Sequence, residues 1–133
     1  MGGFSDAYEL LVLDHFLGGD AMAQPTAWWV SLYVGDPDGA GAEVAQADYA
    51  RINNTSWAAA SGGEAANSAV VDFGTTESNW GEVTHFGIHT AETGGSLMAS
   101  GKIVDSGGTP ETANLVSGID VSFEIGSLVL SLD

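Results

Sequence analysis

Beyond Pro25 the apolar residues recur in steps of two, in short runs that glycine-rich turns cut apart, and this pattern constrains the fold more than any other feature of the chain. Successive side chains of a strand point to opposite faces, so a period of two is the signature of β structure. Residues 26–34 set Trp28, Val30, Leu32 and Val34 against Ala27, Trp29, Ser31 and Tyr33. Both faces are partly apolar, as a central strand covered on two sides requires. Further strands are predicted at residues 49–53, 55–59, 68–73, 83–88, 97–104, 118–125 and 128–132, the last with Leu128, Leu130 and Leu132 on one face. Between them fall the turn signals Asp36-Pro37-Asp38-Gly39, Ser61-Gly62-Gly63, Thr93-Gly94-Gly95, Ser106-Gly107-Gly108 and Gly126-Ser127. Eight short strands in 133 residues with 19 Gly predict a mainly β fold, an antiparallel β-sandwich or small barrel. The length suits a single domain over residues 1–133. Residues 35–47, small and acidic, read as an extended loop, exposed and mobile.

One segment departs from the period of two. Residues 6–17 have Asp6 as N-cap with Glu9 three positions on, an acidic variant of the capping box, and Gly18-Gly19 as a stop. Tyr8, Leu10, Leu11, Val12, Leu13, Phe16 and Leu17 cover more than one stripe of that helix. A helix apolar on most sides predicts burial. One short N-terminal α-helix, mostly buried, is therefore expected before a β domain at about 26–133.

Charge removes several function classes. The chain carries 18 Asp and Glu against 2 Lys and Arg, a formal net charge of -16. Nucleic-acid binding through phosphates needs several bases, and only Arg51 and Lys102 are present. Disorder is excluded by composition, because 44% of residues are hydrophobic and 15% charged, with four Trp and five Phe. Carboxylates with so few bases repel one another unless salt screens them, so the composition suits a saline, marine or hypersaline medium. No apolar run exceeds four residues, as at Leu10 to Leu13, far short of a membrane span, and no secretion signal is visible. The chain therefore reads as soluble, with no membrane partner. Absence of Cys removes disulfides, thiol nucleophiles and Cys-based metal sites.

No residue pattern in the chain marks a catalytic, cofactor-binding or metal-binding site. His85 and His89 share a strand face but lie about 13 Å apart there, too far to hold one metal, so hydrogen-bonded histidines are the better reading for them and for His15. Asp72 and Glu124 lie between apolar strand residues, a setting that raises a carboxyl pKa if buried and is ordinary solvent-facing alternation if not; the second reading is preferred. Asp36-Pro37-Asp38-Gly39 lacks the later ligands of a calcium loop and reads as a plain turn. Asn53-Asn54-Thr55-Ser56 holds two overlapping glycosylation acceptors, which matter only in a glycosylating host. Gly87 in mid-strand predicts a bulge or the close approach of another backbone, with Phe86 and Ile88 on the core side. Arg51, isolated among acids, predicts a buried or interface pair with carboxylates.

Two stretches carry a resemblance: Leu13-Asp14-His15-Phe16-Leu17-Gly18-Gly19, and Trp80-Gly81-Glu82-Val83-Thr84-His85-Phe86-Gly87-Ile88 followed by Thr93-Gly94-Gly95. With Tyr49-Ala50-Arg51 and the closing strands, they make the chain similar, from about Phe4 to Asp133, to a family of small siphophage-like tailed-virus virion proteins commonly labelled tail fibre proteins. The resemblance implies a non-enzymatic structural protein on the exterior of head or tail, as capsid decoration or as fibre or spike. It implies assembly with itself, as a trimer, and with a major capsid protein or tail and baseplate proteins. Candidate assembly contacts are Arg51, Trp28, Trp29, Leu13 and Phe16. The alternative is a glycan-binding β-sandwich for host-surface recognition, with Trp57, Trp80 and Tyr49 as contact candidates.

Overall fold

The computed structural model of the chain describes residues 2–132. Its elements run β1 (Gly2–Phe4), α1 (Asp6–Phe16), β2 (Trp29–Val34), β3 (Ala42–Glu43), β4 (Ile52–Asn53), β5 (Glu64–Ala66), β6 (Val71–Thr75), β7 (Gly81–Val83), β8 (His85–His89), β9 (Leu97–Lys102), β10 (Ala113–Leu115), β11 (Asp120–Phe123) and β12 (Val129–Ser131). The fold is a mainly β, antiparallel sandwich. One layer is a sheet in the order β3-β2-β8-β9-β1-β12-β5, with β4 also paired to β2. The other layer is made of two ribbons, β7 with β10 and β6 with β11. The pair β1–β12 is parallel and the remaining pairs are antiparallel.

Alternation along β2 and β8 builds the core. Val30 lies opposite Ile88 and Leu32 opposite Phe86, all four buried. Burying such a side chain is worth about 1.5–3 kcal/mol each. Around Val30, Phe86 and Ile88 gather Val71, Met98, Ala99 and Leu128. A second cluster joins Leu32 to Val44, Trp80, Val83, Leu115 and Val121. Phe73 and Phe123 pack against both clusters and make them one continuous interior.

The structure departs from the sequence expectation where tertiary pairing outranks local pattern. The predicted strand 83–88 is two strands, because the chain changes layers at Thr84: β7 pairs with β10 in the ribbon layer and β8 with β2 and β9 in the main sheet. Thr84 covers the crossing by donating its N–H to the Tyr33 carbonyl and accepting from Gly35 N–H at its hydroxyl. Segment 55–59 forms no strand beyond a Trp57–Asn67 bridge. Buried Asn54 accepts from Ser56 N–H and donates to the Ser56 carbonyl, a local bonding pattern that competes with a ladder. Segment 35–47 is less loop than expected, since it contributes β3 and the buried Val44. Leu128 is buried, yet Leu132 is exposed, so the closing strand does not present one uniform apolar face.

Strand β1 has no sequence signal, being mostly glycine. It fits between β9 and β12 because it is glycine: a Cβ on Gly2 would stand 2.5 Å from the Ser100 carbonyl oxygen and 2.9 Å from Phe86 Cζ. The helix begins one residue earlier than its predicted cap. Ser5 is the N-cap, its Oγ accepting from Tyr8 N–H and donating to the Leu97 carbonyl, which ties helix to sheet. Glu9 thus falls outside the capping-box position. Asp38, in the predicted turn, accepts from Asp6 N–H at 2.8 Å and sets a carboxylate at the helix start. Gly18 follows the C-cap Leu17, as expected. The expectation of a mostly buried helix is overturned: none of its residues is buried. Tyr8 alone packs on the core, because a single helix laid against β1 and β9 turns only one side toward the sheet.

Candidate functional site

Strand β3 and the segment before β4 bring together the most highly bonded cluster of side chains. Arg51 donates from Nε to Glu43 Oε2 at 2.7 Å and from Nη2 to Glu43 Oε1 at 2.8 Å, a bidentate fork. Its Nη1 donates to the carbonyls of Ala91 and Gly94, each at 2.9 Å. The Arg51 side chain is 8% exposed and that of Glu43 24%. Tyr49 donates its hydroxyl to Glu43 Oε2 and accepts from Leu32 N–H. Burial alone would raise the Glu43 pKa, but hydrogen bonds from Arg51 and Tyr49 outweigh it and hold the carboxyl below its usual range. The Glu43 carboxylate raises Arg51 in turn. Burial pushes the Tyr49 phenol up. The predicted carboxylate pair of Arg51 thus exists within one chain, where it staples β3 to the 91–94 turn.

Next to this staple, Tyr49 meets Trp80 edge-on, with ring centroids 5.3 Å apart. Trp80 is 4% exposed, and its indole N–H donates to Asp48 at 2.9 Å. The hydroxyl of Ser78 and the N–H groups of Glu77 and Ser78 also donate to Asp48, and with the Ser78 hydroxyl leading they depress its pKa. Trp80 and Tyr49 are therefore part of the interior framework, and Trp80 is out of reach of a solvent-borne sugar. Trp57 is half-buried against the first core cluster and donates to the Asn54 carbonyl. Trp28 packs on the same cluster, and half-buried Trp29 opens β2 opposite His89 and Asn53.

The histidines are hydrogen-bonded. His15 accepts from Met22 N–H, His85 bonds the Thr84 hydroxyl, and His89 bonds the Tyr33 hydroxyl while stacking on that ring with centroids 5.9 Å apart. Burial, reinforced by the Arg51 charge, pushes His89 down to about 4. Among the described residues no group of three His, Asp or Glu converges to hold a metal. Asp72 and Glu124 face solvent. The first glycosylation acceptor, Asn53, has its side-chain oxygen engaged by Trp28 N–H, and the second, Asn54, is buried.

The surface that stands out is apolar. Helix α1 and its C-cap Leu17 leave Leu10 64%, Leu13 54%, Phe16 82% and Leu17 75% exposed. Leu10, Leu13 and Leu17 follow one another at helical spacing on a single stripe. Beside it an open cleft of about 300 Å³ is lined by Gly3, Phe4, Val12, Leu13 and Leu132. The sequence held this signal in the many-sided apolar character of the helix, which reads equally as burial within the subunit. No helix among the described residues is long and apolar enough to cross a membrane.

Comparison with known proteins is consistent with a structural role. No curated protein matches the chain. The model of the family Gp80, podophage GP4 fiber I protein gp80, matches residues 3–131. That match supports the fibre label, whereas the siphophage-like qualifier finds no support in a family named for a podophage. As the matched span takes in the helix, both core clusters and the Arg51–Glu43 staple, the chain belongs to the podophage GP4 fiber I protein gp80 family, with a structural role in a phage virion.

Proposed function

We propose that the protein is a non-enzymatic fibre subunit on the exterior of a tailed-virus particle, and that it assembles with copies of itself, as a trimer, through α1. The observation that carries this reading is the exposed stripe Leu10, Leu13, Leu17 with Phe16 beside it. All four of these large apolar side chains are more than half exposed and lie side by side, and the largest apolar patch on a typical monomer is only about 300–600 Å². A helix apolar on most sides is stable when other helices cover it. Three copies about one axis do so with identical contacts and a closed assembly. The charge of -16 per chain opposes that association in dilute buffer and is screened in a saline medium, which fits a virus of salty water.

Cryo-electron microscopy of the purified particle tests the placement. Density for this fold in a fibre, at a small copy number, is the expected result. Hundreds of copies spread over the head would replace fibre by capsid decoration, and absence from the particle would overturn the reading altogether.

A further inference from the structure

The ribbon layer of the sandwich is split. Strand β10 is hydrogen-bonded along one edge to β7, and β11 along one edge to β6, each in a two-stranded sheet. Between β10 and β11 lies an open groove of about 270 Å³. Ala113 and Leu115 line it from one side, and the consecutive residues Asp120, Val121, Ser122 and Phe123 from the other. A strand face would offer only alternate residues, so consecutive residues mean that the edge of β11 borders the groove. The free edge of a strand presents unpaired N–H and C=O groups, a template for a further strand. Half-buried Ile103 and Phe123 give the groove apolar surface above the buried Leu32, Val83 and Phe86, and Glu111, Asp120 and Glu124 rim it against the single cation Lys102.

We propose that this groove receives one extended, cationic segment of another virion protein, which pairs with the edge of β11 and lies across Ala113 and Leu115 of β10. Main-chain hydrogen bonds supply the fit, apolar side chains of alternate parity meet the apolar surface, and Lys or Arg side chains of the other parity meet the acidic rim. A second copy of this chain is the wrong donor. Of its two bases, Arg51 is sealed in the pair with Glu43 and Lys102 already stands at the groove, so a copy has no basic strand to give and brings a further charge of -16.

The test uses the full chain labelled with nitrogen-15 and two blocked hexapeptides, one alternating Lys with Val and the other Glu with Val. The Lys peptide is expected to shift the amides of Ala113–Leu115 and Asp120–Phe123 saturably and to bind more weakly as salt rises; the Glu peptide is expected to leave them unmoved. The double variant Glu111→Lys/Glu124→Lys, altered at two exposed rim positions, should melt as the parent does, lose roughly tenfold or more in affinity for the Lys peptide, and accept the Glu peptide. The proposal is overturned if neither strand responds, if both peptides bind equally, or if the same amides shift with protein concentration alone, which would make a second copy the occupant. Self-association through α1 strengthens with salt while groove binding weakens, so the two readings stand or fall separately.

Discussion

Arg51 spends four hydrogen bonds inside its own chain, on both oxygens of Glu43 and on two carbonyls of the 91–94 turn. Truncating it leaves the largely buried Glu43 carboxylate without a counter-ion, held by the Tyr49 hydroxyl alone, and takes the donor from the Ala91 and Gly94 carbonyls. Arg51→Ala should therefore cost about 3 kcal/mol in chemical denaturation. Lys102→Ala, at an exposed site, should stay within about 0.5 kcal/mol. Arg51→Lys should recover only part of the loss, because a point charge cannot span the carboxylate and both carbonyls. Equal melting temperatures for Arg51→Ala and Lys102→Ala would contradict this account. His89 gives the same neighbourhood a pH signature. Its folded pKa of about 4 lies below the ordinary 6.5, so between these values the unfolded chain binds the extra proton. The stability it contributes is fully present above about pH 6.5, falls as the pH drops, and levels off below about 4, a loss of about 3 kcal/mol. The charged groups facing it are Arg51 and Glu43, both locked in their pair. His89→Gln keeps a partner for the Tyr33 hydroxyl and removes the titration, so the stability difference between parent and variant should slope across that window. A difference independent of pH would contradict the burial of His89 as the cause.

At the scale of elements, the contact between β2 and β8 is set by one missing side chain. A Cβ on Gly87 would stand 2.7 Å from Ser31 Oγ, and Ser31 is a fully buried hydroxyl without a hydrogen-bond partner among the described residues. Gly87→Ala should cost about 1–3 kcal/mol through overpacking. In a Ser31→Ala background the nearest remaining atoms, His89 Nε2 and Leu97 Cδ1, stand 3.2 Å away on side chains, and most of that cost should disappear. Additive melting shifts would show that the two positions do not meet. The predicted close approach at Gly87 is therefore real, but it comes from a side chain rather than a backbone, and the register shift lies one residue on, between Ile88 and His89. This marks how far the sequence was legible. Central strands dense in large apolar residues declare themselves: β2 (Trp29–Val34) lies within its predicted range of 26–34, although it starts three residues later. Segments whose pairing depends on distant partners do not declare themselves: β1 is glycine held by Phe86 and Ser100, β3 is fixed by the Glu43–Arg51 pair, and β10 exists as a strand through β7. The site was half legible. A lone Arg among acids announced its own salt bridge, whereas the rings of Tyr49 and Phe73 that pack on Trp80 come from distant segments and leave no local mark.

At the scale of the molecule, the imbalance of 18 acids against 2 bases lies over an interior that is almost uncharged. Raising salt from about 0.1 M to about 1 M shortens the screening length from about 10 Å to about 3 Å. The melting temperature should rise accordingly, and a flat profile between dilute and molar salt would remove the saline reading. The same screening should favour contact between the apolar helices, whose exposed stripe carries the central claim that this fibre-family subunit assembles through α1. Sedimentation equilibrium in molar salt tests that claim most directly, with the parent compared to Leu13→Asp/Phe16→Asp, a variant altered only at exposed positions. The account predicts the mass of three chains for the parent and of one chain for the variant, with the same melting behaviour of the fold. A parent that sediments as a single chain at every concentration and salt, or a variant that remains a trimer, would contradict it.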